Sequence, residues 1–159
     1  MDADTRKKLI EEYKDGYRVV SEALVGATDE ELDARPAPGK WSAREIVHHL
    51  GDSEMIAASR LRFVLAVDGA EIVGYDQDEF ARRLHYDRPY EASLQAFKAA
   101  RQTTAELLEV MTDAEWRREG THTEHGRYTV ERWLQIYAAH AHKHAEQILV
   151  AREAGRKKG

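Results

Sequence analysis

The chain has no cysteine. That excludes disulfides, thiolate metal ligands and a protein-borne thiol nucleophile, so any thiol chemistry has to use an external thiol. Three prolines and ten glycines in 159 residues leave few interruptions, whereas a β-rich fold needs many more turn residues. No stretch of about 18 apolar residues occurs, which argues against a membrane partner. The opening segment, Met1 to Lys8, is charged and lacks the apolar run of a signal peptide, so a cytoplasmic location is expected. Positive charge is not in excess either. A formal net charge of −5 argues against a nucleic-acid partner, which requires clustered Lys and Arg to displace phosphate counterions. The one basic cluster is Arg152, Arg156, Lys157 and Lys158. It is expected to complement the C-terminus of a last helix and then fray.

What is present is helical. Hydrophobic residues make up 42% of the chain and charged residues 33%, a balance that suits a helix-rich globular protein, and the length suits one domain over 1–159. From about Asp4 to Ala27, Leu9, Ile10, Tyr13, Tyr17, Val20 and Leu24 recur at helical spacing. Thr28 to Glu31 is a capping-box pattern for a short extra turn. Ser42-Ala43-Arg44-Glu45 is another, opening a long helix through Ile46, Leu50, Ile56 and Phe63 to about Val67. Tyr75 to Tyr86 holds a short helix before Pro89, and a third long helix is expected from about Pro89 to Met111. Thr112 to Glu115 caps one or two turns. The polar segment Arg117 to Tyr128, with Gly120 and Gly126, reads as a loop or weak hairpin. Thr129 then caps a fourth long helix. Four long helices without strong strands predict an all-α four-helix bundle.

Helical geometry sorts the histidines. His140 and His144 stand four apart, about 40° around the axis from each other, on the stripe that carries Trp133, Tyr137 and Ile148. His142 is roughly 200° from His140 and is expected at the solvated surface. In the second helix, Ile46, His49, Leu50, Ser53 and Ile56 form one buried stripe. His48, about 100° away, is the alternative if that face is displaced by one residue. Imidazoles on an apolar face need partners, and two readings satisfy them: hydrogen bonds within the core, or a divalent metal held by His49, His140 and His144. Three neutral imidazoles leave coordination positions open for water or substrate, the pattern of a catalytic rather than a closed structural site. Such a set accepts zinc or nickel foremost, and iron, cobalt or manganese as well.

Other metal patterns are missing. His140-Ala141-His142-Lys143-His144 lacks the Glu of a metalloprotease helix motif, which leaves the general base unassigned. Only Glu45-Ile46-Val47-His48 has the Glu-x-x-His form, of which a di-iron carboxylate bundle needs two.

The segments Lys40-Trp41-Ser42, Val47-His48-His49-Leu50-Gly51-Asp52-Ser53-Glu54 and Tyr137 to Ile148 together resemble the DinB-like superfamily, and within it the YfiT-like metal-dependent hydrolases. The resemblance extends to Asp113-Ala114-Glu115-Trp116 and Gly126-Arg127-Tyr128-Thr129. It implies an up-down-down-up bundle, a homodimer, and a metal held by the histidine before the Leu of the first motif together with a His-x-x-x-His pair. By position those are His49, His140 and His144. Activities implied are metal-dependent hydrolysis or thiol transfer from a low-molecular-weight thiol, acting on a small-molecule substrate. A non-catalytic bundle that sequesters a metal or small ligand is the alternative.

His122 resembles a histidine found in this stretch of the family and is placed either over the metal as a proton shuttle or in solvent. Glu45 and Asp52 are candidate partners for the outer imidazole nitrogens, with surface charge as the alternative. Arg60 lies roughly 16 Å along the helix from His49, within range of an extended anionic substrate but not of the metal. Trp41, Trp133 and Tyr137 either line a pocket or pack the core, with packing expected for Trp133, and Trp116 is expected to clasp a loop onto the bundle.

Overall fold

The computed structural model describes residues 1–157. Four long helices, α1 (Ala3–Leu24), α3 (Ala43–Ala66), α5 (Glu91–Val110) and α7 (Val130–Arg156), form the body. Three short ones, α2 (Asp29–Asp33), α4 (Gln77–Arg83) and α6 (Asp113–Trp116), lie in the connections. The caps are the ones the sequence signals. Thr28, Ser42, Thr112 and Thr129 each accept a backbone N–H of the first turn, and Ser42 and Thr112 form full capping boxes with Glu45 and Glu115. A cap of this kind contributes about 1 kcal/mol and sets where each helix begins.

Helix directions follow from which residues meet. Met1 pairs with Glu131 and Arg152 with the Ala23 carbonyl, so α1 and α7 run parallel. His48 meets Ser93 and Arg62 meets Thr104, so α3 and α5 run parallel to each other. Lys14 reaches Glu109 while Tyr17 packs on Phe97, and Trp133 reaches the Ala57 carbonyl, so the two pairs are antiparallel. The order is up-down-down-up, as the family resemblance implies. A small residue permits one of the close approaches: a Cβ on Gly51 would stand 2.8 Å from the Ser93 carbonyl oxygen, so Gly51 lets α5 come alongside α3.

The segment expected as a loop or weak hairpin is a hairpin, β2 (Glu119–His122) against β3 (Gly126–Thr129), with Gly126 at positive φ where the chain leaves the turn and β3 begins. An unanticipated third strand, β1 (Glu71–Ile72), pairs parallel to β2. Two residues are too short to show a period. Gly120 allows the approach, since a Cβ there would collide with the Ala70 carbonyl oxygen.

The core is two clusters stacked along the bundle. One gathers Tyr13, Leu61, Leu108, Trp133 and Leu134, the other Val20, Ile46, Leu50, Phe97 and Ile148. Between them, buried Arg101 donates to Glu54 Oε2 (2.5 Å), the Tyr13 carbonyl (2.6 Å) and the Tyr137 carbonyl (2.7 Å), and the Tyr13 hydroxyl donates to Glu54. One buried ion pair thus joins all four long helices next to the turn that carries His140.

The basic cluster corrects an expectation. Arg152 does not fray: it is buried, donating to Glu31 (2.7 Å) and the Ala23 carbonyl (2.5 Å), while Arg156 donates to the other oxygen of Glu31 (2.8 Å). These two arginines dock α2 on α7. Lys158 lies outside the described residues. Among the described residues no helix is long and apolar enough to cross a membrane.

Candidate metal centre

α3 and α7 bring His49, His140 and His144 to one place. One ring nitrogen from each lies within 4.8 Å of the others, and the rings of His140 and His144 are 5.4 and 4.8 Å from that of His49. The i, i+4 spacing on α7 stacks its two rings on one face. His140 Nε2 and His144 Nε2 stand 3.2 Å apart. His144 Nδ1 is 2.8 Å from Gln147 Oε1; an amide oxygen only accepts, so Nδ1 donates and Nε2 carries the lone pair, turned to His140. His49 Nε2 is buried without a partner, and so is His140 Nδ1. Burial pushes His49 down to about 3, with help from the neighbouring His144. Burial also holds His140 well below the usual histidine range, and His144 below it.

Three converging neutral imidazoles, two of them with a buried unpartnered nitrogen, make a donor set that a divalent cation fits. An unpartnered buried nitrogen is otherwise costly, on the order of 1–3 kcal/mol. The coordination positions that three imidazoles leave would be reached through two clefts. A larger one, about 850 Å³, is lined by Trp41, Ile46, Val150, His140 and His144 among others. A smaller one, about 250 Å³, is lined by His49, Ser53, Arg60, His122, Tyr137 and His140 among others. His140 borders both.

His48 takes no part. Its Nε2 donates to the Arg88 carbonyl (3.0 Å), its Nδ1 accepts from Ser93 (2.7 Å), and its ring stacks on Tyr86. With both nitrogens bonded it is a satisfied core histidine. His142 also stays away from the centre, but it is half-buried rather than fully solvated, with Nε2 3.1 Å from the Glu12 carbonyl. Neither candidate outer carboxylate touches a site histidine. Glu45 is spent on the Ser42 cap and on Arg35, and Asp52 accepts from the Tyr86 hydroxyl (2.6 Å). The outer partner is Gln147, three residues after His144, a spacing that is itself a helical contact and is visible in the sequence.

His122 is on β2, not in a loop, and is buried. Its Nδ1 accepts the Glu124 backbone N–H at 3.1 Å, which leaves the ring proton on Nε2. Burial, then Arg60 and His125, lower its pKa. His122, Glu124 and His125 also group at the rim of the smaller cleft, the latter two exposed. Trp41 packs on His49 at 4.8 Å between ring centroids and lines the larger cleft. Trp133 packs the core as expected, and Trp116 is buried under Arg6. The Arg60 side chain lines the smaller cleft, donating to the Val73 carbonyl (2.5 Å) and lying 3.5 Å from the Tyr137 hydroxyl.

The fold and site define an up-down-down-up helical bundle with three convergent imidazoles at the meeting point of two clefts. Residues 12–148 match the sequence model of the DinB superfamily, and the chain belongs to that superfamily. It is 30% identical over 139 residues to "Putative metal-dependent hydrolase OB0782" of Oceanobacillus iheyensis, covering 87% of this chain and 81% of that one. It is 28% identical over 153 residues to "Putative metal-dependent hydrolase YfiT" of Bacillus subtilis, covering 90% and 86%. The solved structure of YfiT, described as "a probable metal-dependent hydrolase with an unusual four-helix bundle topology", superposes with a TM-score of 0.88 at 25% identity, covering 100% of this chain and 90% of that chain.

Proposed function

We propose that this protein is a metal-dependent hydrolase of a small molecule, with a divalent ion held by His49, His140 and His144. The observation that carries this reading is the convergence of three buried or half-buried imidazoles, one ring nitrogen from each within 4.8 Å of the others, with His49 Nε2 buried and unpartnered. A divalent ion there supplies Lewis-acid polarisation of a carbonyl and lowers the pKa of a water or an external thiol. Gln147 orients His144 by accepting from its Nδ1. Trp41 covers one side of His49 and excludes water from it. Two open clefts at the centre favour an enzyme over a closed sequestering site.

The test is metal analysis of protein purified without an affinity tag, followed by a screen of ester and amide hydrolysis and of conjugation by low-molecular-weight thiols. Stoichiometric metal with hydrolysis that a chelator abolishes is expected. Turnover only with an added thiol would reassign the protein as a thiol transferase, and metal binding with no turnover would favour the sequestering role.

A further inference from the structure

The smaller cleft contains donors that the metal reading does not use. Arg60 is half-buried, and its guanidinium carbon lies 5.6 Å from the centroid of the Tyr75 ring. Its hydrogen-bond acceptors, the Val73 carbonyl and the Tyr137 hydroxyl, are neutral. Among the described residues no carboxylate comes within 4.0 Å of it, whereas half-buried Arg44 pairs with Asp29 and Asp33, and Arg101 pairs with Glu54. His122 adds a second donor. Because its Nδ1 accepts from the Glu124 backbone, Nε2 carries the proton, and among the described residues no hydrogen-bond acceptor meets it. A guanidinium and an imidazole N–H lining one small cleft form a set that accepts an oxyanion, and a planar guanidinium matches a carboxylate. On the other side of His140, the larger cleft offers Trp41, Ile46, Pro36 and Val150, surfaces suited to an apolar group.

We propose that the substrate is a small amphiphilic carboxylic acid. Its carboxylate is held in the smaller cleft by Arg60 with His122, and its apolar part lies against Trp41 in the larger cleft. The bond between these two ends then passes the three imidazoles. This deepens the hydrolase reading and rests on it for the reacting centre, but anion recognition itself needs no metal. Glu124 stands at the rim of the same cleft, exposed to solvent, where water screens its repulsion of an incoming anion.

The experiment is calorimetric titration of the full chain, stripped of metal, with phenylalkanoates of increasing chain length and with the matching neutral amides. At the best-fitting length the wild type is expected to prefer acid over amide by about tenfold or more. Arg60→Gln should lose that preference while binding the amide as before, which also shows that the variant folds. Arg62→Gln, on the same helix but outside both clefts, should retain it. Equal binding of acid and amide by the wild type would overturn the proposal. Loss of the preference in Lys40→Gln rather than Arg60→Gln would move the anion to the mouth of the larger cleft and overturn it too. A preference seen only after metal loading would make the carboxylate a metal ligand and would likewise overturn it. A preference that survives in metal-free protein, alongside histidine variants that still bind metal, would leave this proposal standing and remove the metal site instead.

Discussion

Replacing Glu54 by alanine should be among the most destabilising single changes in the chain. Glu54 is 0% and Arg101 2% exposed, and the pair is joined at 2.5 Å. The guanidinium would remain buried by its bonds to the Tyr13 and Tyr137 carbonyls, its charge no longer balanced. Breaking a buried pair this way costs about 3–5 kcal/mol. A chain of this size loses roughly 2–4 °C of Tm per kcal/mol, so the expected fall is about 6–20 °C. Arg101→Ala should fall in the same range. The double variant Glu54→Leu with Arg101→Met should lose less than either single one, because no charge is left stranded. Thermal melts followed by circular dichroism at one pH read all four proteins. Single variants within about 1 kcal/mol of wild type, or additive losses in the double variant, would refute the claim that this pair ties the four helices together.

The docking of α2 carries a pH signature. The Arg156 and Arg152 guanidiniums hold the Glu31 carboxyl below its usual range. A depressed folded-state pKa gives stability that is present above the unfolded value and is lost as pH falls through the folded one. Glu31→Gln should therefore lower Tm at neutral pH and approach the wild-type Tm as pH drops below the ordinary carboxylate range; an equal deficit at both ends would contradict the ion-pair account. On assembly, the family resemblance leads us to propose a homodimer, and sedimentation velocity at micromolar concentration giving the monomer mass would end that expectation.

Local signals make much of this protein legible in its sequence. Ser42 with Glu45 and Thr112 with Glu115 announce helix starts because the cap and its partner lie three residues apart. The helical period places His140 and His144 on one face and separates His49 from His48, since one residue is 100° of rotation. Partnerships across long stretches of chain are not legible. Arg152 meets Glu31 across 121 residues and Arg101 meets Glu54 across 47, so in the sequence a buried arginine resembles one more surface charge. The place of the Arg60 side chain is not legible for another reason. Helical rise locates a backbone atom, while a long side chain can lean back along the groove toward the centre. Strand β1 is two residues long and exists only because β2 offers it an edge.

The central claim is the three-imidazole centre, and the most direct measurement is bound metal per chain in wild type and four variants, by elemental analysis after reconstitution and removal of free ion. His49→Ala, His140→Ala and His144→Ala should each lose most of the metal. His48→Ala should keep it, because both nitrogens of His48 are already bonded to Ser93 and Arg88. Retention of full metal by His49→Ala, or its loss in His48→Ala alone, would contradict the account.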